Sequence, residues 1–343
     1  MSRSGGGWCG AAVIEELKEK IGDRVLVVSV SGGKDSTATC LHLQELGLPY
    51  RAIFFDTGWE HASTYDYVNE YLPTKIGPIE RLARKQEMRT PELEALARRY
   101  EERIGFYSPM VRLIIDKGAF PARMRRWCTL ELKVGPAMDY LKGMDSEPIN
   151  VVGIRAEESM ARAKMPEWEW SDKMDCEVWR PLIRWTFQDV IEIHQRHNVS
   201  PNPLYLGDNP SERVGCYPCV HARKSELKGL AARSPERIDL LRDLEQDITN
   251  ICADKYADKA FKSRGGKGDV EDMDTIRTWF QNPNPMRDPQ TGKKIGEAWP
   301  IDRVVQWART KHGGRQFELF EALPGEQGCV RWGMCDTGQR GEE

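Results

Sequence analysis

The sequence feature that most constrains the fold of this chain is a short turn with two glycines, which lies between an apolar run and a helical segment. Residues 25–30 are apolar and β-branched, the turn reads SGGKDS, and helical spacing follows as far as Gly47. Two glycines let the backbone turn sharply and present N–H groups to an anion, which the helix N-terminus also attracts. The turn therefore predicts a pyrophosphate cradle, although its spacing is not that of the Walker loop. The candidate phosphate-binding residues are Ser31, Gly32, Gly33, Lys34, Asp35 and Ser36.

Strand-like and helix-like segments alternate over the N-terminal half of the chain. A second apolar run lies at 52–55, and further strands are expected at 149–154 and 177–182, with helical segments between them. This order predicts an α/β domain built on a doubly wound parallel sheet.

The composition changes near residue 198, where Pro, Gly and Asn become frequent. This change predicts a C-terminal extension that is helical and rich in loops. We therefore expect three regions, namely a frayed N-terminus over 1–20, a nucleotide-binding α/β domain over 21–200 and a cysteine-bearing extension over 201–343.

Polar residues follow two more of the predicted strands. Asp56 and Thr57 end the second apolar run, while Gly153 and Arg155 end the strand at 149–154. Because open α/β sheets bind ligands at the carboxyl ends of their strands, these four residues are candidates for the nucleotide site. Asp56 would contact ribose or Mg²⁺, Gly153 would let adenine approach the backbone, and Arg155 would neutralise phosphate charge.

Composition excludes several classes of protein. The 343 residues are 40% hydrophobic and 30% charged, with a net charge of -3, which argues against a protein that coats nucleic acid. The longest aliphatic stretch is far shorter than the roughly 20 apolar residues that a membrane helix needs. No signal core precedes the first domain. We expect a cytoplasmic protein that makes no contact with a membrane.

The basic residues are concentrated in one block. Residues 81–126 contain 12 Lys and Arg against 6 Asp and Glu, a local charge of +6. Such a block suits phosphate groups and suggests a nucleic-acid substrate, whereas solvated helix faces with internal ion pairs are the plainer interpretation.

Several motifs together resemble the phosphoadenosine phosphosulfate (PAPS) reductase family. They appear in the same order as in that family and lie at 31–36, 56–68, 125–136, 153–159, 180–190, 202–205 and 215–219. The turn at 31–36 is also similar to the loop of the PP-loop ATP pyrophosphatases. The resemblance implies an adenine nucleotide alpha-hydrolase type of α/β fold, in a family that includes ATP-using sulfur-transfer enzymes of DNA phosphorothioation.

Two differences from the true sulfonucleotide reductases favour the phosphorothioation branch of the family. The reductases share a phosphate loop that lacks part of this motif, because they need no room for the β,γ-pyrophosphate of ATP. In this chain, by contrast, Lys34, Asp35 and Ser36 are all present. Reductases also end in a Glu-Cys-Gly-x-His segment, and this chain has Glu-Gln-Gly-Cys-Val at 326–330 without that histidine.

We therefore expect a sulfurtransferase-like enzyme that cleaves ATP to AMP and pyrophosphate and adenylates an acceptor. Lys34, Asp35 and Arg155 are its candidate catalytic residues, with ATP and Mg²⁺ bound, a sulfur-donor protein as partner and a homo-oligomeric state. The alternatives are a PAPS or APS reductase that produces sulfite, and a non-catalytic nucleotide-binding subunit of a modification or defence complex.

The nine cysteines are too many and too scattered for a short disulfide scaffold. Cys216 and Cys219 form a C-x2-C pair whose thiolates can reach one metal, either in an iron–sulfur cluster or in a zinc site. The resemblance implies that Cys128 joins this pair in holding a [4Fe-4S] cluster. The fourth ligand would be Cys329 or Cys335.

Overall fold

The computed structural model describes residues 11–206, 210–255, 277–281, 286–287, 289–290, 294–295 and 298–310. The strands are β1 Val25–Val30, β2 Tyr50–Asp56, β3 Ile79–Ala83, β4 Pro148–Val151, β5 Trp168–Ser171, β6 Cys176–Trp179, β7 Met286–Arg287 and β8 Lys294–Ile295. The helices are α1 Ala11–Ile21, α2 Lys34–Glu45, α3 Ala62–Asp66, α4 Pro73–Ile76, α5 Pro91–Ile104, α6 Pro109–Lys117, α7 Trp127–Thr129, α8 Gly135–Lys142, α9 Phe187–Arg196, α10 Lys224–Arg233, α11 Pro235–Lys255 and α12 Ile301–Arg309. Two π-helical turns, Tyr67–Tyr71 and Leu130–Val134, continue α3 and α7.

The chain divides into two compact units. The first contains the described residues of Met1–Phe55, Ser63–Leu82 and Gly135–Asn202, and the second those of Asp56–Ala62, Ala83–Val134 and Pro203–Glu343. This division differs from the boundary expected near residue 200, because residues 83–134 group with the C-terminal part. The reason is packing, since apolar side chains of α6 and α11 belong to one core cluster.

The first unit contains a six-stranded sheet with the strand order β3-β2-β1-β4-β6-β5. β1 is parallel to both β2 and β4, and β4 is parallel to β6. This confirms the predicted α/β class, with a sheet that is mostly parallel and flanked by helices. The buried strand residues Val27 and Ile53 pack with Leu141 of α8 and Cys176 of β6.

Two elements of this unit differ from expectation. β5 pairs antiparallel with β6, through a turn in which Asp175 has a φ of 56°. The segment at 168–171 has two exposed or half-exposed tryptophans and was not predicted as a strand. Ala11–Ile21 is a helix rather than part of a frayed N-terminus, and the Lys20 ammonium lies 3.8 Å from the centre of the Trp168 ring.

The second unit is mainly helical around its own apolar core. Trp59 stacks on Trp279 with ring centres 5.0 Å apart, and both belong to the core cluster that includes Leu241 and Leu244 of α11. β7 and β8 form a short antiparallel pair. Within the part of the chain that the structure describes, no helix is both long and apolar enough to cross a membrane.

Candidate functional site

The phosphate loop lies between β1 and α2, as the sequence predicts. Gly33 is the N-cap of α2, so the helix begins at Lys34 with its N-terminal N–H groups at the loop. The Ser36 hydroxyl donates to the Gly33 carbonyl oxygen at 3.0 Å and accepts from the Ser31 N–H at 3.2 Å. The Gly33 N–H in turn donates to the Ser31 hydroxyl at 3.3 Å. These bonds fix a compact turn at the N-terminus of α2, where the helix dipole favours an anion.

Gly32 cannot be replaced by a larger residue without displacing its neighbours. Its φ is +71°, and an added Cβ would lie 2.8 Å from a methyl group of Val68. The buried Asn202 amide donates to the Gly32 carbonyl oxygen and to the Thr64 hydroxyl, both at 3.3 Å. Asn202 lies in the motif at 202–205, but its contact with the phosphate loop depends on the tertiary structure.

The Asp35 carboxylate joins the two predicted cations of the site. One oxygen accepts from the Lys34 ammonium at 2.5 Å, and the other accepts from Arg155 Nε at 2.6 Å. Burial alone would raise the pKa of Asp35, but Lys34 and Arg155 outweigh it and hold that pKa below its ordinary value. The three candidate catalytic residues therefore form one contiguous group in the first unit.

Two further residues support this group and were not predicted. The Glu157 carboxylate accepts from the Arg155 guanidinium and, at 2.8 Å, from the N–H of Phe187, the first residue of α9. The Phe187 ring centre lies 5.7 Å from the Lys34 ammonium and 5.9 Å from the Arg155 guanidinium carbon. An acidic residue two positions after Arg155 was the available signal in the sequence.

Gly153 has a clear packing reason to be glycine. An added Cβ would lie 2.4 Å from the Thr39 hydroxyl and 2.8 Å from the Asp35 carbonyl oxygen. The glycine therefore lets the chain after β4 approach the first turns of α2. Its contact with adenine stays a prediction.

Asp56 and Thr57 belong to the second unit, where they are buried. The Asp56 carboxylate accepts from the Gly58 N–H at 2.8 Å, and the Thr57 hydroxyl lies 2.8 Å from both carboxylate oxygens of Glu60. Their proposed contact with ribose or Mg²⁺ stays a prediction.

Three of the predicted metal ligands share one electrostatic environment in the second unit. The pKa of the partly buried Lys133 is raised, most by Cys216, then by Glu60, Cys219 and Cys128, against the opposing effect of burial. Cys216 Sγ lies 3.9 Å from the Thr57 hydroxyl and 4.0 Å from a Glu60 carboxylate oxygen. Burial raises the pKa of the Cys216 thiol to about 12, and Lys133 opposes that rise.

The donor set fits an iron–sulfur cluster in chemical kind, since three soft sulfur ligands lie near one compensating ammonium. In the described residues, however, no three His, Cys, Asp or Glu side chains are arranged as a ready metal site. The candidates for a fourth ligand, Cys329 and Cys335, lie outside the described residues. Lys133 lies in the motif at 125–136 and Glu60 in the motif at 56–68, but neither residue was predicted to belong to the metal site.

Many basic residues of the block at 81–126 form ion pairs in the folded chain. Its ion pairs are Arg84 and Lys117 with Glu131, Arg89 with Asp116, Arg98 with Glu94, Arg99 with Asp247, Arg103 with Asp243, and Arg112 with Glu94 and Glu101. Three of these carboxylates, Glu131, Asp243 and Asp247, come from outside the block and offset half of its local charge of +6.

The fold and the loop define a class of protein, the PP-loop nucleotide-binding proteins with an adenine nucleotide alpha-hydrolase type of sheet. Residues 25–222 match the model of the phosphoadenosine phosphosulfate reductase domain, and the chain belongs to that family.

Relatives of known sequence extend this result. The chain is 33% identical to an uncharacterized 37.8 kDa protein of Escherichia phage 186, over 90% of this chain and 96% of that protein. It is 30% identical to an adenosine 5'-phosphosulfate reductase of Allochromatium vinosum, over 62% of this chain and 75% of the reductase. A PAPS reductase from Candida auris, solved as a phosphate complex, aligns with 17% identity and a TM-score of 0.36, covering 58% of this chain and 93% of that one.

Proposed function

We propose that this protein binds ATP at the loop 31–36, cleaves it between the α and β phosphates and transfers the adenylyl group to an acceptor. The observation that carries the proposal is the complete loop, in which the Asp35 carboxylate holds the cations of Lys34 and Arg155. A loop that binds only a sulfonucleotide has no need of these groups for a β,γ-pyrophosphate. Family membership supports a nucleotide-binding enzyme.

The residues have distinct roles in this reaction. The loop N–H groups, the hydroxyls of Ser31 and Ser36, and Lys34 would bind the pyrophosphate together with Mg²⁺. An acceptor oxygen attacks the α-phosphorus, the bond from that phosphorus to the bridging oxygen breaks, and pyrophosphate leaves with the electron pair. Lys34 and Arg155 would stabilise the charge that develops on the phosphate oxygens. The proton of the acceptor passes to solvent.

Sulfur at the oxidation level of sulfide, brought by a donor protein, would then displace AMP from the adenylated acceptor. We propose that Cys128, Cys216, Cys219 and one of Cys329 and Cys335 hold a [4Fe-4S] cluster, with zinc as the alternative metal. Such a cluster, when bound, supplies a soft centre that binds sulfur. Lys133 would offset the negative charge of the thiolates, and Glu60 and Thr57 would keep Cys216 in position.

Release of pyrophosphate from ATP by anaerobically purified protein tests the first step. Lys34→Ala and Arg155→Ala should each lower the rate about 10²-fold, since each removes a group that stabilises developing charge. Arg162→Ala is the matched control, because Arg162 pairs with Glu158 rather than with the loop. The proposal fails if wild type releases no pyrophosphate, or if all three variants lose the same fraction of activity.

A sulfonucleotide reductase is the second candidate, favoured by the likeness to the A. vinosum reductase. Formation of sulfite from APS or PAPS with thioredoxin, without turnover of ATP, would replace our proposal with this one. A non-catalytic nucleotide-binding subunit is indicated instead if Lys34→Ala and Asp35→Ala both keep full function in cells.

An iron assay and a visible absorption spectrum test the metal. Cys216→Ala and Cys219→Ala should lose iron and colour, whereas Cys176→Ala should keep both, because the buried Cys176 belongs to the apolar core of the first unit. A colourless, iron-free and fully active wild type would eliminate the cluster, and stoichiometric zinc would establish the alternative.

A further inference from the structure

Five consecutive residues at the end of the basic block form a turn that carries three arginines. Ala122 and Arg125 form a tight turn, with the Ala122 N–H donating to the Arg125 carbonyl oxygen at 3.2 Å and the reverse bond at 3.0 Å. Arg123 and Met124 are therefore the central residues of the turn. All of residues 123–126 are exposed, and Met124 is 94% exposed. We call residues 122–126 the arginine turn.

The arginines of this turn differ from most basic residues of the block, because seven of the other nine pair with a carboxylate. Within the described ranges, Arg125 and Arg126 make no ion pair, and the one hydrogen bond of Arg123 goes to the Val220 carbonyl oxygen at 3.4 Å. By contrast, Arg112 of the same block is almost completely buried and is held by two carboxylates. Exposed like charges that lack carboxylate partners repel one another, so they suit a surface that meets a polyanion.

The arginine turn lies near a segment that is distant in the chain, the one that follows the C-x2-C pair. The Arg123 guanidinium reaches the carbonyl oxygen of Val220, the residue after Cys219, and Arg126 precedes Cys128 by two residues. The arginine turn therefore lies beside the segments that carry two of the proposed cluster ligands.

Met124 distinguishes between two classes of polyanion. Guanidinium groups alone fit an acidic peptide as well as a phosphodiester chain. An apolar side chain that is fully exposed at a turn and flanked by arginines suits a nucleic acid, because proteins use such residues as wedges between base steps while arginines contact the adjacent phosphates. Guanidinium planes also stack on exposed bases.

We propose that the arginine turn forms a nucleic-acid contact surface, with arginines on phosphodiesters and Met124 against a base step. The proposal deepens and in part rests on the proposed function, since it makes nucleic acid the acceptor. It also narrows the contact surface from the whole block at 81–126 to the five residues of the arginine turn.

Fluorescence anisotropy of labelled nucleic acid at several salt concentrations, without ATP, tests the surface. The probes are a duplex DNA of mixed sequence, one of its strands alone and the matching duplex RNA. Arg125→Gln combined with Arg126→Gln should weaken binding of duplex DNA by about 10- to 100-fold and reduce the log–log salt slope by about 2, because two phosphate contacts are lost. Met124→Ala should weaken binding several-fold and leave the slope unchanged, because no charge is removed.

Arg98→Gln combined with Arg103→Gln is the charge-matched control from the same block. Both of these side chains have carboxylate partners, so their removal should change affinity by less than about threefold. All variants change exposed residues, and their melting temperatures should match that of wild type. Tighter binding to the single strand or to RNA than to duplex DNA would keep the surface and change the kind of nucleic acid.

Three results would overturn the proposal. They are no binding of any probe by wild type, a loss of affinity in the control pair equal to that in the arginine turn pair, and tighter binding of labelled polyglutamate than of any nucleic acid. Release of pyrophosphate by wild type is measured separately. If wild type cleaves ATP but binds no nucleic acid, only this surface is refuted. If wild type binds nucleic acid as expected but releases no pyrophosphate, only the proposed function is refuted.

Discussion

The two units hold their polar side chains by different means. In the first, the loop at 31–36 is built mostly by hydrogen bonds between neighbours in the chain, and an ion pair joins its Asp35 to the distant Arg155. In the second, the buried Arg112 of α6 is held by Glu94 and Glu101 of α5, so these ion pairs form only when the two helices pack together. Local structure is therefore sufficient to form most of the first site, whereas the second depends on tertiary packing of charges.

The largest expected effect comes from Arg112, whose guanidinium makes four hydrogen bonds to two carboxylates. Arg112→Met should lower the free energy of unfolding by about 3–5 kcal/mol, because it leaves those carboxylates without their buried cation. Arg98→Met is the control, since Arg98 is mostly exposed and should cost less than about 1 kcal/mol. Denaturant unfolding measures both, and equal costs would show that the second unit does not depend on its buried ion pairs.

The next effect is a dependence of stability on pH that originates in the second unit. Glu245 is buried on α11 and accepts from the N–H groups of Trp279 and Ile301, both at 2.9 Å. Burial raises the pKa of its carboxyl to about 7, although the two N–H groups oppose the rise. Because the pKa is higher in the folded state, the protonated form favours folding below the ordinary pKa near 4.5, and this contribution is lost as pH rises through about 7.

The free energy of unfolding should thus fall by roughly 3 kcal/mol between pH 5 and 8.5 through Glu245 alone. Glu245→Gln should remove most of this dependence, so the difference between the two denaturation series isolates the residue. Burial lowers the pKa of His42 and His194 to about 4, so they raise stability as pH rises from about 4 to 6.5 and oppose Glu245 in that range; they are common to both series and cancel in the difference. An identical pH profile in the variant would contradict the assignment.

The smallest of the three effects concerns packing in the first unit. Gly153→Ala places a methyl group against the Thr39 hydroxyl and the Asp35 carbonyl oxygen, which should cost about 1–3 kcal/mol of stability through overpacking. Release of pyrophosphate should fall as well, because Asp35 is displaced. Adding Thr39→Ala should recover only part of the stability, since the backbone oxygen remains in place. Full recovery would show that the backbone approach is unimportant.

Prediction from sequence succeeded where a residue's neighbours in the chain determine its conformation. The run at 25–30 became β1 at the predicted residues, and the SGGKDS turn lies between that strand and α2. Parallel pairing followed from the order of strands and helices, as β1 with β2 and β4 confirms. The antiparallel β5 was missed because its four residues gain their order from pairing with β6.

The residues of the candidate sites fall into the same two groups, those determined by neighbours in the chain and those determined by tertiary contacts. The sequence alone determined the phosphate loop, because glycines, hydroxyls and a helix N-terminus act over six consecutive positions. Only the tertiary structure decided which carboxylates neutralise which arginines, that Glu157 and Asn202 support the loop, and that Lys133 lies near three cysteines. Coulomb interactions and burial depend on distance in space, and a count of charges along the chain carries no information about that distance.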